Sequence, residues 1–262
     1  MMEAKLIRTS MLKEVIDSVK NIIHVASFEF RENEIKMQAM TSDNLSVVEI
    51  SLQSSFFFFY RCDRLIKLGI YLAQFSHLMA CAKDDDILIL KKDVHSEDLT
   101  VIFESPNQDR KVDCELLVVD LLDVAFQIPE TDYRCIIHMP TREFRKIITD
   151  LMEIDDHCTI RCADEGIRFI ANGYFGSVSV LIGKNFNSVV IDMSEPVELR
   201  FALKYFHRMT EASCLGPSMR IYLSHDIPSC LEYPIGSNGY IKYYLAPSVA
   251  DPQDDSCDSE DY

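Results

Sequence analysis

The pattern of apolar residues in the first half of this chain occurs a second time 132 residues later. Each copy contains four residues with the i, i+3, i+4, i+7 spacing of a helix that is buried on one face, namely Leu12, Val15, Ile16 and Val19, and then Phe144, Ile147, Ile148 and Leu151. The same separation relates apolar positions in the strands that follow, where Phe28, Ile35, Met37, Ala39, Val48 and Ile50 correspond to Ile160, Ile167, Phe169, Ala171, Val180 and Ile182. Because one separation fits a helix and several strands, the sequence predicts two copies of one domain.

Residues 117–134 separate the two copies. This segment is too long for a tight turn, and its Pro129 interrupts regular strand pairing. We therefore predict an N-terminal domain at residues 1–116, a connector at 117–134, a C-terminal domain at 135–250 and a disordered acidic tail at 251–262.

Each domain is predicted to be α+β, with helices on one face of antiparallel sheets. The apolar spacing predicts helices at 10–23, 72–81, 141–152 and 203–212, the first of them capped by Thr9 or Ser10. Alternating apolar residues predict strands at 2–7, 27–31, 34–40, 46–51, 87–91, 99–104 and 111–118, and in the second half at 135–139, around Cys158, Ile167 and Val178, and at 189–193, 219–224, 230–234 and 239–246.

The charge of the chain is unevenly distributed. A formal net charge of −16 argues against an ordinary nucleic-acid-binding protein, because such proteins gain affinity by neutralising phosphates. The segments that contain the four predicted helices, residues 10–24, 72–83, 141–152 and 203–211, differ from the remainder, since they carry eight Lys and Arg residues against five Asp and Glu residues. If these helices shared one surface, that surface could accept a phosphate backbone while the rest of the protein repelled it.

The nine cysteines are odd in number and scattered, which is typical of reduced thiols in the cytosol or nucleus. His157, Cys158 and Cys162 come closest to a metal site, but cysteines four residues apart in a strand are better explained as packed core thiols. No apolar run is long enough to cross a membrane, and the N-terminus lacks the apolar core of a signal peptide.

Motifs for catalysis are incomplete. The chain contains no dinucleotide-binding, phosphate-loop or zinc-protease motif. Ser10 to Lys13 matches S-x-x-K and Ser42 to Asn44 matches S-D-N, two of the three motifs of serine acyl-transferases, but K-T-G is absent. A helix cap and a turn explain the same residues, so we predict no catalytic residue, metal ligand or cofactor and keep the acyl-transferase as a remote alternative.

Six segments of the chain together resemble a known family. They are MMEAKLIRTSMLKEVIDSVK at the N-terminus, YRCDR at 60–64, FESPNQ at 103–108, IPETDY at 128–133, EFRKIITDL at 143–151 and IKYYLAPS at 241–248. In this order they resemble the proliferating cell nuclear antigen family, the eukaryotic sliding clamps, over roughly residues 1–250. The resemblance implies a nuclear, head-to-tail homotrimer that closes into a ring around duplex DNA and tethers polymerases by encirclement, without reading the bases.

The resemblance also implies three sets of site residues. The residues expected to face DNA are Lys13, Lys20, His77, Arg145, Lys146 and Lys204. A pocket for short peptide motifs of DNA polymerases, the clamp loader, flap endonucleases and ligase-type clients is expected at Met40, Asn44, Leu45, Val47, Phe126, Ile128, Pro228, Tyr244, Ala246, Pro247 and Val249. The trimer interface is expected to join strand residues 109–117 of one chain to 175–183 of the next, with contributions from Arg110, Cys114, Leu116, Val178 and Val180.

Several positions depart from the family pattern. Asn44 replaces the usual histidine beside the pocket, and Cys114 lies where an aromatic residue is common. Asp164 occupies the position of the lysine that the family uses for ubiquitin-type modifiers. The alternative within the same fold is a subunit of a checkpoint-type heterotrimeric clamp, which strong asymmetry between the two interface edges would favour.

Overall fold

The computed structural model describes residues 1–93, 96–121, 132–184, 186 and 188–248. Four α-helices occur in these ranges: α1 (Thr9–Asp17), α2 (Leu72–Met79), α3 (Thr141–Met152) and α4 (Leu203–Met209). The strands of the first half are β1 (Met2–Leu6), β2 (Val25–Phe30), β3 (Glu34–Met40), β4 (Ser46–Gln53), β5 (Phe59–Cys62), β6 (Ile66–Tyr71), β7 (Ile87–Lys92), β8 (Leu99–Glu104) and β9 (Lys111–Leu116). Those of the second half are β10 (Cys135–Pro140), β11 (His157–Ala163), β12 (Gly166–Gly173), β13 (Gly176–Gly183), β14 (Val190–Met193), β15 (Val197–Ala202), β16 (Ser218–Leu223), β17 (Ser229–Pro234) and β18 (Gly239–Leu245).

The strands form three antiparallel sheets. The first has five strands in the order β5-β1-β7-β8-β9, and the second has nine in the order β14-β10-β16-β17-β18-β4-β3-β2-β6. The third has four strands in the order β13-β12-β11-β15. The predicted α+β class with antiparallel sheets is confirmed.

The two halves of the chain have the same topology. The five-stranded sheet has the order of β14-β10-β16-β17-β18, and the four-stranded sheet has the order of β4-β3-β2-β6. The nine-stranded sheet therefore consists of one five-stranded and one four-stranded unit, joined where β18 pairs with β4. In the described part of the chain, the corresponding strands β9 and β13 are sheet edges with no such partner.

The repeat separation changes after β3 and β12. Phe169 pairs with Val180 as Met37 pairs with Ile50, so Val180 corresponds to Ile50 at a separation of 130, and the predicted equivalence of Val180 with Val48 is wrong. The reason is the turn, because six residues separate the paired residues Met40 and Val47 whereas four separate their counterparts Asn172 and Ser177. A difference of two residues keeps each side chain on its face of the sheet, so the apolar pattern concealed it.

The helices pack in pairs, α1 against α2 and α3 against α4, and the 3₁₀ segment Thr210–Cys214 contacts α1, α3 and α4. The eight residues of the repeated helical pattern are all buried. The predicted cap of α1 is wrong: the Thr9 hydroxyl donates to the Asp86 carbonyl oxygen at 2.9 Å, and no side chain caps the helix at Arg8. None of the described helices is long and apolar enough to cross a membrane.

The aromatic run at residues 56–59 is divided between core and surface. Phe56 and Phe57 are buried, whereas Phe58 remains 76% exposed and Phe59 41% exposed. Three strands, β5, β6 and β15, were not predicted, and α1 ends six residues earlier than its predicted end at Ile23.

The predicted core thiols of β11 are buried, and the metal alternative receives no support from their geometry. Cys158 and Cys162 lie on the inner face of the strand, while the alternation places half-exposed His157 on the other face. The Cys162 sulfur lies 2.9 Å from the sulfur of Cys135 on β10, which is also buried. The Cys135 thiol donates to the Cys162 sulfur, and this contact raises the pKa of Cys135 and lowers that of Cys162.

Candidate functional site

The six residues expected to face DNA lie on the four helices or just after α1. Arg145 and Lys146 of α3, His77 of α2 and Lys204 of α4 are exposed, and Lys13 and Lys20 are half-buried. A hydrogen bond of 3.0 Å from Asn21, after α1, to Glu211, after α4, connects the helix pairs of the two domains. The helices thus form a continuous layer across both domains.

The basic residues of this layer are not equally available to a ligand. Lys20 is 2.7 Å from the Asp17 carboxylate and 3.0 Å from the Ser76 hydroxyl, so part of its charge is already balanced. The Lys204 ammonium lies 5.0 Å from the centre of the Tyr205 ring. Among the described residues, the exposed Arg145 side chain has no ion pair.

Acidic residues lie in the same layer. Burial raises the pKa of Glu14, and the nearby Asp84 carboxylate raises it further. Glu211 accepts two hydrogen bonds from Asn21. These carboxylates reduce the positive potential of the helix layer around α1 and after the end of α4.

A row of apolar and aromatic side chains crosses the sheet on the face opposite the helices. Five strands contribute one residue each in direct register, in the order Met40, Val47, Tyr244, Cys230 and Tyr222. Cys230 is buried and the other four are half-buried. Burial raises the pKa of the Tyr244 phenol above its usual value and that of the Cys230 thiol to about 12, so both are neutral at physiological pH.

The remaining residues of the predicted peptide pocket lie around this apolar row. Leu45 is 46% exposed, and its carbonyl oxygen accepts a hydrogen bond of 3.2 Å from the Ala246 amide. The Pro228 carbonyl oxygen accepts a hydrogen bond of 3.2 Å from the Tyr133 hydroxyl. Pro247 is half-buried and Asn44 is exposed, with φ 58° in the turn between β3 and β4. Phe126, Ile128 and Val249, also assigned to the pocket, lie outside the described residues.

A row of polar side chains lies beside the apolar row, two residues along each strand, and was not predicted. Its members are Gln38, Glu49, Lys242, Glu232 and Arg220. Arg220 is 2.6 Å from Glu232, and the Tyr240 hydroxyl donates to Glu49 at 2.7 Å. Because these charges are paired within the sheet, they form a rigid polar border along the apolar row. The polar row could have been recognised in the sequence, because its residues occupy a second set of outward-facing positions on β4, β17 and β18.

The start of the connector is fixed to the edge of the nine-stranded sheet. Gly69 of β6 and Val119 exchange two backbone hydrogen bonds of 3.0 and 2.9 Å. A Cβ atom at Gly69 would lie 2.2 Å from the Val119 carbonyl oxygen and 2.8 Å from the Leu121 side chain. Glycine is therefore required for this close approach.

The residues expected at the subunit interface lie on or beside the two sheet edges. Cys114, Val178 and Val180 are half-buried, whereas Leu116 is only 2% exposed and already belongs to the core of its own domain. Arg110 is 2.7 Å from the Asp86 carboxylate. Leu116 can therefore contribute to a contact mainly through its backbone.

The repeat relates Cys114 to a residue of the joined sheet. Cys114 pairs with Val101, the third residue of β8, and Tyr243 pairs with Leu231, the third residue of β17. Tyr243 is fully buried where β18 meets β4, whereas Cys114 lies on the edge strand β9. The small Cys114 side chain therefore lies at the unpaired sheet edge, whereas its larger counterpart Tyr243 lies within the joined sheet.

The same comparison relates the other edge, β13, to β4. Val178 pairs with Ala171 as Val48 pairs with Ala39. Val48 is fully buried opposite Tyr243 in the joined sheet. Val178 is half-buried because nothing in the described chain covers that edge.

Comparison with known families identifies both halves of the chain. Residues 1–125 match the family described as "Proliferating cell nuclear antigen, N-terminal domain", and residues 127–248 match "Proliferating cell nuclear antigen, C-terminal domain". The chain belongs to the proliferating cell nuclear antigen family. Members of this family are non-enzymatic sliding clamps, processivity factors that bind DNA and partner proteins.

The geometry of the S-D-N segment agrees with a structural role. Asp43 accepts hydrogen bonds from the Thr41 hydroxyl at 2.6 Å, the Leu45 amide at 3.1 Å and the Tyr205 hydroxyl at 2.7 Å. These contacts fix the turn between β3 and β4 against α4. They explain the segment without an acyl-transferase, and Ser10 lies in the first turn of α1.

Proposed function

We propose that this chain is a replication and repair clamp that acts in the nucleus as a closed homotrimer around duplex DNA. The observation that supports it is the sheet arrangement. The separate five-stranded and four-stranded sheets have the same strand orders as the two units that are joined in the nine-stranded sheet. Pairing β9 of one chain with β13 of the next would rebuild the joined sheet between chains. A head-to-tail contact of this kind forms a ring when its rotation closes.

The joined sheet predicts the register of this contact. Tyr243 pairs with Val48 within the chain, so its counterpart Cys114 should pair with Val178 of the next chain. Two residues away, Ile241 pairs with Ile50. The register therefore also predicts that Val112 pairs with Val180. Both pairs place apolar side chains on the inner face, where the contact gains most from burial.

The hole of such a ring would be lined by the helix layer. Its role is to hold the backbone loosely, because a sliding clamp needs phosphate contacts that do not select a sequence. The many acidic residues elsewhere would keep DNA from binding outside the ring.

The DNA-facing assignment can be tested by salt dependence. Removing both charges with Arg145→Ala and Lys146→Ala should weaken retention on DNA and lower the slope of log affinity against log salt by about 1 for each phosphate that is no longer neutralised. The matched control is Arg161→Ala, which removes an exposed arginine from β11. Equal salt slopes for the double variant and the wild type would contradict the assignment.

The outer face would hold the client proteins. The apolar row fits a short helical turn with an aliphatic and two aromatic anchors, and the polar border beside it would orient the flanking peptide. Leu45→Asp should lower the affinity for such a peptide at least about tenfold, because it puts a charge at the rim of the apolar row. Leu65→Asp, at a leucine that is 54% exposed elsewhere, is the control. Equal peptide affinities for the two variants would argue against a pocket beside Leu45.

The heterotrimeric checkpoint clamp remains the alternative within the same fold. It would require β9 and β13 to pair with strands of chains that differ in sequence from this one. The repeat favours self-assembly, because the two edges are counterparts of strands that already pair with each other in this chain. A homogeneous mass of three identical chains at micromolar concentration would exclude the alternative, and a persistent monomer would favour it.

A further inference from the structure

The turn between β12 and β13 carries the two most exposed aromatic side chains of the described residues. Tyr174 is 96% exposed and Phe175 is 99% exposed. Their rings contact each other edge to face, with centroids 4.9 Å apart. Together they present a compact apolar surface to water, directly at the end of the unpaired edge strand β13.

The corresponding turn of the first domain shows where such a turn packs. Residues 41–45 connect β3 to β4, and the Asp43 carboxylate accepts a hydrogen bond of 2.7 Å from Tyr205 of α4. The Leu45 carbonyl oxygen accepts one of 3.2 Å from Ala246, just after β18. This turn is therefore held against α4 and the end of β18, across the junction between the two domains.

In the first domain, the surface that corresponds to α4 and the end of β18 is left uncovered by the described part of the chain. Because Leu203 and Leu72 begin α4 and α2, Tyr205 corresponds to Gln74 and Met209 to Leu78. Tyr205 and Met209 are 8% and 1% exposed, whereas Gln74 is exposed and Leu78 is half-buried.

A groove lies at this open position, between α2 and the end of β9. It is lined by Gln74, His77, Leu78, Glu115, Leu116 and Leu117. Leu117, the counterpart of Ala246, is 67% exposed. The groove thus corresponds to the surface of α4 and the end of β18 that the turn at residues 41–45 contacts. In the described part of its own chain, no turn covers the groove.

We propose that Tyr174 and Phe175 of one chain dock into the groove between α2 and β9 of a second copy and anchor the junction between subunits. The inference rests on the proposed homotrimer and adds the residues that hold it together. Within the chain, the domain junction buries the aromatic ring of Tyr243 on β18. Between chains, β9 has only Cys114 at the corresponding position, and the turn with Tyr174 and Phe175 supplies the aromatic surface instead.

Fluorescence gives a direct readout, because the chain contains no tryptophan. In Phe175→Trp the single tryptophan should emit at short wavelength in the trimer and shift to long wavelength as dilution dissociates it. Adding Leu117→Asp should shift the emission of the assembled protein to longer wavelength. The matched control is Phe58→Trp, at a phenylalanine that is 76% exposed, whose emission should not change on dilution. A trimer of the Phe175→Trp variant that emits like a solvent-exposed indole would overturn the anchor.

Assembly itself gives a second readout. Tyr174→Ser with Phe175→Ser, and separately Leu117→Asp, should each raise the concentration of half-dissociation at least about tenfold, as removal of a central interface residue does, while circular dichroism confirms the fold. Phe58→Ser should leave it unchanged. A mixture of the turn variant with the groove variant should form a two-chain species, because one intact turn can meet one intact groove.

The outcomes separate the anchor from the homotrimer. A wild-type chain that stays monomeric at all concentrations would overturn the homotrimer and the anchor with it. A trimeric wild type whose turn variant dissociates at the same concentration would overturn the anchor alone.

Discussion

Replacing Cys114 by tyrosine should strengthen the contact between neighbouring chains. The counterpart of Cys114 in the joined sheet is Tyr243, which is fully buried opposite Val48. By the same register Cys114 faces Val178 of the next chain, the counterpart of Val48. A tyrosine at position 114 would therefore enter an environment that already accepts tyrosine in this fold.

The magnitude follows from the area that the ring would cover. A buried aromatic side chain removes about 150–250 Å² from water, and the smaller Cys114 side chain already covers part of that area. A gain of about 100 Å² at about 25 cal/mol per Å² gives about 2.5 kcal/mol for each interface, or roughly a 60-fold tighter contact. The Tyr243 hydroxyl also donates to the Ser18 carbonyl oxygen at 3.1 Å. The repeat relates Ser18 to Asp150, so the corresponding acceptor for a tyrosine at position 114 is the Asp150 carbonyl oxygen of the next chain.

The assay is the mass distribution over a dilution series, by mass photometry and sedimentation velocity. Cys114→Tyr should lower the concentration at which half of the trimers dissociate by at least about 30-fold. Asp113→Tyr places the same side chain on the opposite face of β9 and should have a much smaller effect. A folded Cys114→Tyr protein with an unchanged or higher half-dissociation concentration would refute the predicted register.

Two further predictions concern the connector and the domain junction. Gly69→Val should displace the start of the connector, because the added Cβ would lie 2.2 Å from the Val119 carbonyl oxygen; faster proteolysis within residues 117–134, with little change in trimer mass, would show it, and unchanged cleavage would contradict it. The Thr41 and Tyr205 hydroxyls lower the pKa of Asp43, so its carboxylate stabilises the fold above the unfolded pKa of about 3.9 and loses this effect as pH falls through the lower folded pKa. Asp43→Asn should therefore destabilise the protein at pH 7 in urea unfolding, and its difference from the wild type should shrink as the pH falls below about 3.9; a difference that does not change with pH would assign the effect to packing.

Much of the fold could be predicted from the apolar pattern. The predicted bounds of β3, β8 and α3 are those observed, because these elements have regular spacing and clear ends. The strand β6 was missed because Gly69 interrupts its alternation to admit the connector. The shift of two residues at β4 was hidden because it preserves the faces of the strand.

The surfaces were only partly predictable. Helical spacing identified the basic helix layer, but the pairing of Lys20 with Asp17 depends on side-chain geometry that spacing does not contain. The polar border on the outer sheet face needs the register between strands, which the sequence of one strand does not specify. The aromatic turn at Tyr174 and Phe175 is visible in the sequence as two large residues between glycines, but its meaning depends on the open groove beside α2.

Topological retention on DNA tests the closed clamp most directly. The chain is loaded onto nicked circular DNA with a clamp loader, and bound protein is measured at high salt before and after one restriction cut. A closed ring that slides predicts retention on the circle and loss from the linear form, since phosphate contacts alone are screened at high salt. Equal retention on circular and linear DNA, or loss from both while the chain is trimeric, would contradict a clamp that holds DNA by encirclement.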